Sequence, residues 1–412
     1  MSKVKLAVIG LGCRGFSVLK YVLLKIKDAE IVSVCDVYED RIDRALNTIK
    51  EAGGEAKGFT DYKEALNVAG IQGVCIFTSW QMHSEISTYA MEKGIPVGSE
   101  VGCEFSLEGC FDVVKTQERT KTPYMFVENC CYGKDELLAT NMARKGLFGS
   151  IVHCSGSYSH DLREEVVFGK ENRHYRFDNY VNRNCDNYPT HELGPIAKLL
   201  NINRGNRIVA VSSMASKAMG MHEYVEKIGK EKEIPAYLYN TEFKQGDIID
   251  TLIKCANGET IRLKLDTNLP RQYSRDFTVR GTKGLYEQAT NTVYLDGDCK
   301  EEIWEPAKFY REFLDSAKKY EDEYLPKIWR EISEEDKKAG HGGMDYFAYN
   351  AFVDCIKNNK PMPIDVYDGA VWMAVSVLSE QSIIQGGAVQ YMPDFTAGKW
   401  MTRPSLDVID WE

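Results

Sequence analysis

Gly10-x-Gly12-x-x-Gly15 stands directly after the apolar run from Val4 to Gly10 and opens an amphipathic stretch that reaches Ile26. Between a strand and a helix, that spacing has a mechanical meaning. Gly10 permits a tight turn, Gly12 lets the backbone approach a diphosphate, and Gly15 allows the helix to pack closely on the strand, while the helix N-terminus adds partial positive charge. Cys13 and Arg14 fill the turn between the last two glycines. Asp36 ends the next apolar run, 21 residues after Gly15, where a carboxylate accepts hydrogen bonds from both hydroxyls of an adenosine ribose. The chemistry is dinucleotide binding. NAD is favoured over NADP because a 2'-phosphate would meet that negative charge, although Arg41 is a cation within reach of such a phosphate and keeps NADP open.

A second constellation, Thr78-Ser79-Trp80-Gln81-Met82-His83, lies just past an apolar strand. That is the carboxyl edge at which open α/β sheets bind their ligands. Trp80 either covers the cofactor or packs at the edge of the core, and His83 either touches the ligand or simply starts a helix.

The elements that must position these groups alternate in kind. Strands at Val4 to Gly10, Ile31 to Cys35, Gly73 to Thr78 and Ile95 to Ser99 are interleaved with helical stretches at 39–51, 61–69, 82–93 and 106–121. Such βαβ units predict a Rossmann domain over residues 1–125, a doubly wound parallel sheet. Beyond it, strands at Ile151 to His153, Ile208 to Ser213, Ile248 to Cys255, Thr260 to Thr267, Phe277 to Gly281 and Leu285 to Leu295 are separated by turns such as Asn257-Gly258. Short turns between successive strands predict an open-faced, largely antiparallel sheet in an α+β domain over residues 126–412. Two helices, Tyr346 to Asn358 and Asp368 to Gly386, close the chain, and the charged runs Glu223 to Glu233 and Arg330 to Lys338 read as solvated surface.

Composition removes several classes of function. The 412 residues carry 51 Lys and Arg against 61 Asp and Glu, a net charge of −10, and no segment gathers enough cations to track a phosphate backbone, which excludes nucleic acid as a partner. No apolar run approaches the roughly 18 residues of a bilayer span, so no membrane partner is expected. The opening Met1-Ser2-Lys3-Val4-Lys5 leads into a short strand rather than a signal sequence, and a cytoplasmic location is expected. Twelve cysteines without a CxxC pair read as reduced thiols, with neither a disulfide framework nor a metal site.

The residues resemble the broad oxidoreductase family of glucose-fructose oxidoreductase and inositol dehydrogenase, a Rossmann domain followed by an open-faced sheet domain. Dehydrogenases of that family carry Glu-Lys-Pro after the fifth strand, the lysine assisting proton transfer; this chain has Glu100-Val101-Gly102 there. What it carries instead is similar to the NAD-dependent glycoside hydrolases of family 109, whose founding activity is α-N-acetylgalactosaminidase. The matching stretches run in order: Glu128-Asn129-Cys130-Cys131-Tyr132-Gly133, Gly146-Leu147-Phe148-Gly149, Tyr158-Ser159-His160-Asp161-Leu162-Arg163, Tyr188-Pro189-Thr190-His191, Asn201-Ile202-Asn203-Arg204-Gly205, Lys244-Gln245-Gly246-Asp247, Tyr273-Ser274-Arg275 and Gly340-His341-Gly342-Gly343-Met344-Asp345. Two positions depart from the family pattern. Gly102 replaces a proline, and Glu192 replaces a glycine and adds a carboxylate after His191.

The resemblance implies a redox-neutral hydrolysis. NAD takes hydride from C3 of the sugar, the ketone acidifies the C2 proton for a side-chain base, the C1 leaving group departs, water adds, and the NADH formed at the start reduces C3 again. An ordinary glycosidase places two carboxylates about the scissile bond; this route needs bases at C3 and C2 and an acid at the leaving group, tasks suited to histidine and tyrosine. Carried over by position, the catalytic candidates are His191, Tyr158, His160, His341, Tyr188 and Glu128. His191 is expected to act as a base and Tyr158 as its partner in proton transfer. His160, two residues from Tyr158, would share its face of a strand, and the glycines about His341 suggest a loop close to a ligand or else a helix-entry turn. The cofactor candidates are Gly10, Gly12, Cys13, Arg14, Gly15, Asp36, Arg41, Thr78, Trp80, His83, Glu100 and Asn129, and Asp345 is read as a helix cap. A glycoside is the expected partner, with a homo-oligomer on family grounds. A sugar or cyclitol dehydrogenase that releases NADH, and a non-catalytic NAD-bound sensor, are the competing readings.

Overall fold

Short aliphatic runs, most of them bounded by Gly, Pro or Asp, become the strands of a first sheet. A computed structural model describes residues 3–299 and 303–411, so that Met1 and Ser2 of the opening segment lie outside the described residues. The order is β1 (Val4–Ile9), α1 (Cys13–Tyr21), β2 (Ala29–Cys35), α2 (Glu39–Glu51), β3 (Lys57–Phe59), α3 (Tyr62–Ala65), β4 (Gly73–Ile76), α4 (Trp80–Glu92), β5 (Val97–Glu100), α5 (Leu107–Thr120) and β6 (Tyr124–Val127). These strands pair in parallel in the order β3-β2-β1-β4-β5-β6, the doubly wound arrangement whose ligand crevice lies at the carboxyl ends where the order reverses, between β1 and β4. Every residue of β4, β5 and β6 is buried, as parallel strands covered on both faces require. Local signals set the helix starts: the Ser106 hydroxyl accepts from Gly109 N–H at 3.2 Å and the Asp61 carboxylate from Lys63 N–H at 2.7 Å.

The chain divides into two compact units, Met1–Tyr132 with Ile332–Ala374, and Gly133–Glu331 with Val375–Glu412. The segment 332–374, expected within a second domain, thus groups with the first sheet. The reason is burial: a Cβ added to Gly98 of β5 would meet the Phe352 ring at 3.1 Å, and Phe126 of β6 sits edge-on to Trp372. The helix Met344–Asn358, which carries Phe352, therefore supplies part of the cover of the parallel sheet.

The second unit is built on eight strands in the order β13-β12-β11-β7-β10-β9-β8-β14. They are β7 (Ile151–Ser159), β8 (Ile208–Ala215), β9 (Ile248–Cys255), β10 (Thr260–Asp266), β11 (Thr278–Gly281), β12 (Gly284–Glu287), β13 (Thr292–Leu295) and β14 (Gln390–Tyr391). Pairing is antiparallel except between β10 and β7, which run parallel. One face is covered: Ile249, Thr251, Ile253, Ile261, Leu263 and Leu265 are buried, while their alternates Leu252, Lys254 and Arg262 point outward.

Several boundaries differ from expectation. The first helix ends at Tyr21 and a short 3-10 turn, Leu23–Lys25, follows it. Three-residue β3 is too short to show a period, and Leu285 to Leu295 is a two-strand hairpin, β12 with β13. The helix Thr190–Leu199, to which the sequence reading assigned no element, holds Pro195 inside it. The twelve cysteines are all unbridged. Among the described residues, no helix is long and apolar enough to cross a membrane.

Candidate functional site

In the first unit the glycine turn has the shape a dinucleotide needs. Gly10 has φ +92° and a Cβ there would lie 2.6 Å from the Phe77 carbonyl carbon, while one on Gly15 would lie 2.0 Å from the Gly10 oxygen. Gly12 is different: the nearest atom to an added Cβ is the Arg41 guanidinium at 3.6 Å, so its outer side is open to a ligand. Asp36 is buried at the end of β2 and accepts from Leu11 N–H at 2.7 Å and Tyr38 N–H at 3.1 Å, with Arg41 Nη1 at 3.5 Å. Its carboxylate thus ties the turn to β2, and the turn, the helix start and this carboxylate fit the diphosphate and ribose of a dinucleotide.

Trp80 and His83 sit in the first turn of α4, and both are buried. His83 Nε2 lies 3.0 Å from the Thr78 carbonyl. Burial pulls the imidazole down to about 4 against two weaker backbone hydrogen bonds, so at neutral pH it is uncharged and donates to Thr78. A Cβ at Gly102 would approach Trp80 Cδ1 to 2.8 Å and His83 Nδ1 to 3.1 Å, so glycine at this position lets both rings close on the backbone after β5.

Three other candidates of this unit, Arg14, Asn129 and His341, converge on one carboxylate, Asp345, at the start of the helix Met344–Asn358. Arg14 grips it with two bonds, Nη1 to Oδ2 at 2.6 Å and Nη2 to Oδ1 at 2.9 Å, and turns its Nε to Glu100 Oε2 at 2.6 Å. Asn129 Nδ2 donates to Asp345 Oδ1 at 2.7 Å, and His341 Nδ1 stands 2.8 Å from Oδ2 and 3.2 Å from Arg14 Nη1. Burial alone would raise the Asp345 carboxyl; Arg14 and His341 outweigh it and hold the group far below the ordinary carboxylate range. Its partners span the sequence from residue 14 to residue 341, well beyond the local cap expected of it. Glu128 is fully buried, and its Oε1 accepts from Cys130 N–H at 3.0 Å.

In the second unit, Tyr158 near the end of β7 is ringed by aromatic groups. His191 stands edge-on at 5.5 Å between ring centroids, Tyr188 lies at 4.5 Å and Tyr273 at 6.3 Å. The Tyr158 hydroxyl is 3.2 Å from His160 Nδ1, so the two candidates meet as the strand spacing requires. Burial raises the Tyr158 phenol beyond its usual range, and burial together with Arg176 lowers the His160 imidazole. Both shifts favour the arrangement in which the phenol keeps its proton and donates it in a hydrogen bond to the His160 ring. His191 reaches this group from the second residue of the helix Thr190–Leu199. A Cβ on Gly156 would lie 2.6 Å from Glu192 Cβ, so the buried Glu192 seats this helix on a strand position that only glycine leaves clear.

Two members of the cluster escaped the sequence reading as site residues. Arg176 is nearly buried, places its guanidinium 5.3 Å from the Tyr188 ring centroid and pairs with Glu165. Tyr273, quoted only as part of a matching stretch, stands edge-on to His160 at 5.4 Å. A buried arginine with a carboxylate eleven residues away is a strong physical signal, but it depends on burial, which the local sequence around Arg176 does not display.

The parallel sheet, the glycine turn and the ribose-type carboxylate define a dinucleotide-binding protein of the Rossmann class with an attached open-sheet unit. Residues 4–127 match the model of an oxidoreductase family with an NAD-binding Rossmann fold, and residues 132–402 match that of the glycosyl hydrolase 109 C-terminal domain. A glycosyl hydrolase family 109 protein of Stenotrophomonas maltophilia is 40% identical, with 99% of this chain and 92% of that protein covered. An α-N-acetylgalactosaminidase of Tannerella forsythia is 39% identical, covering 92% of this chain and 84% of its own. Among solved structures, scyllo-inositol dehydrogenase from Lactobacillus casei with bound NAD(H) and scyllo-inositol shares the fold at a TM-score of 0.66 and 16% identity, over 95% of this chain and 99% of that one. The chain belongs to glycosyl hydrolase family 109 and is an NAD-dependent glycosidase.

Proposed function

We propose that this enzyme hydrolyses α-N-acetylgalactosaminides by a redox-neutral route through the sugar C3 ketone, using NAD rather than NADP. The observation that carries the reading is the hydrogen-bonded pair Tyr158–His160 with His191 and Tyr188 against it, proton-transfer groups in a chain that also has a dinucleotide turn. The relative from Tannerella forsythia bears the name of that substrate activity. When bound, the nicotinamide supplies reversible hydride transfer at C3. Gly10, Gly12, Cys13 and Gly15 hold the diphosphate, and Asp36 holds the ribose and disfavours a 2'-phosphate by charge. Thr78, Trp80, His83 and Glu100 line the carboxyl edge beside them.

The remaining chemistry is proton movement. Tyr158 passes the proton of the sugar hydroxyl to neutral His160, and His191 removes the proton at C2. Tyr188, His341 and Glu128 position the sugar or protonate the leaving group. Residues 1–125 bind cofactor and 126–412 provide the substrate side, apart from the returning segment that carries His341. On the same family grounds, the outward face of the eight-stranded sheet is the surface through which copies of the chain associate, and the work is done in the cytoplasm.

The test is incubation with a panel of p-nitrophenyl α- and β-glycosides, the N-acetylgalactosaminides included, reading nitrophenolate and NADH together. Many turnovers of nitrophenolate from the α-N-acetylgalactosaminide without NADH accumulation are expected. NADH rising in step with substrate would replace this reading with a dehydrogenase.

A further inference from the structure

The turn that leads into Asp345 has an unusual backbone. Gly340, His341, Gly342 and Gly343 have φ of +73°, +41°, +68° and +104° in succession, four consecutive left-handed residues. Glycine adopts that region freely, but histidine does so at a cost, and such positions persist where surrounding contacts hold them. Here the contacts are those of Asp345. Its carboxylate holds His341 Nδ1, and its bidentate pair with Arg14 fastens the turn to the first helical residues after Gly12. The packing leaves little play: a Cβ on Gly340 would lie 2.4 Å from Asp345 Oδ2, and one on Gly343 would lie 2.7 Å from Ile332. The His341 side chain remains 53% exposed beside the phosphate-binding turn.

We infer that Asp345 is a positioning residue for the cofactor, and that the Gly340–Gly343 turn it fastens is a strap that slows departure of the dinucleotide. The inference rests on the redox-neutral reading in one respect: a reaction that oxidises C3 and then reduces it needs the same NADH to stay bound through the whole turnover. Arg14 acts as the post to which the strap is tied. Its guanidinium is shared by Asp345 and Glu100, so its charge is already committed to carboxylates and its contribution to a diphosphate is mainly geometric. Opening the strap requires parting the Arg14–Asp345 pair, in which Asp345 is buried, and a pair of that kind separates reluctantly because each charge would be left without its partner.

The experiment measures NAD release directly, without sugar. Holoenzyme is loaded with labelled NAD and chased with excess unlabelled NAD, and the association rate is measured separately, for wild type, Asp345→Asn and His341→Ala. Asp345→Asn is expected to raise the dissociation rate at least tenfold with little change in association, and His341→Ala to raise it severalfold. Dissociation from a folded Asp345→Asn within twofold of wild type overturns the inference; if that variant does not fold, the same result for His341→Ala does so. A slower association with unchanged dissociation also overturns it, since that is a damaged site rather than a lost strap. Because no glycoside is present, failure of the glycosidase assay leaves this measurement intact, and the two failures are distinguishable.

Discussion

At the scale of single residues, the cluster around Tyr158 works through unequal environments. Burial and the charge of Arg176 both disfavour protonated His160, so the ring stays available as an acceptor at pH values where an ordinary histidine would be half charged. Removing the cation by Arg176→Gln should raise the His160 pKa part of the way back, since burial remains. The acid limb of kcat/KM should then move to higher pH; a lower rate with an unmoved limb would mean that Arg176 acts on substrate without tuning His160. Legibility was uneven at this scale. The glycine turn and Asp36 could be read because spacing alone encodes them, and Tyr158, His160 and His191 through family resemblance. Arg176 and the role of Asp345 could not be read, because each depends on a partner brought near only by folding, 331 residues away in the pairing of Arg14 with Asp345.

At the scale of elements, position depends on where side chains are absent. Gly156 lets the helix Thr190–Leu199 descend onto β7 and carry His191 to Tyr158. Gly156→Ala should destabilise the protein by about 1–3 kcal/mol through overpacking, and a helix displaced by about 1 Å should lower kcat by about 100-fold. Normal turnover in that variant would show that the helix can yield without moving His191. The loop after β4 makes a prediction in pH. His83 falls from an ordinary 6.5 to about 4 on burial, so between those values the unfolded chain binds the extra proton and stability rises with pH. Stability should therefore be lost as pH drops from about 6.5 toward 4, by up to about 3 kcal/mol from this group. Urea midpoints of wild type and His83→Gln test it, the variant losing less over that interval; parallel losses would remove His83 as the cause. The alternating strands and the helices packed on the parallel sheet were legible from period and turn residues, whereas β3 was too short to show a period and the helices from Lys134 to Glu231, including Thr190–Leu199 with its internal Pro195, were not read.

At the scale of the whole molecule, the outward face of the second sheet mixes exposed apolar groups, Leu252 at 58% and Met214 at 64%, with the ion pair of Arg262 and Asp250. A face of this composition suits association with another copy of itself. Leu252→Glu should shift the mass measured by light scattering toward that of a single chain, and a wild type already monomeric at working concentration would sink the proposal. The open sheet itself was legible from its turns; the parallel pairing of β7 with β10 was not, since register between distant strands leaves no local mark.

The return of residues 332–374 to the first unit has a consequence for biosynthesis. The parallel sheet is made first, yet the segment that carries Phe352 and Trp372, which cover it, begins at Ile332, about 200 residues after Tyr132. At about 5–20 residues per second, translation leaves that sheet uncovered for about 10–40 s. The nascent chain must spend that interval with aliphatic strands exposed, and the hub at Asp345 closes only after residues 133–331 have been added. What this delays is retention of the cofactor rather than its first binding, since the strap can be tied only after the intervening residues 133–331 have been made.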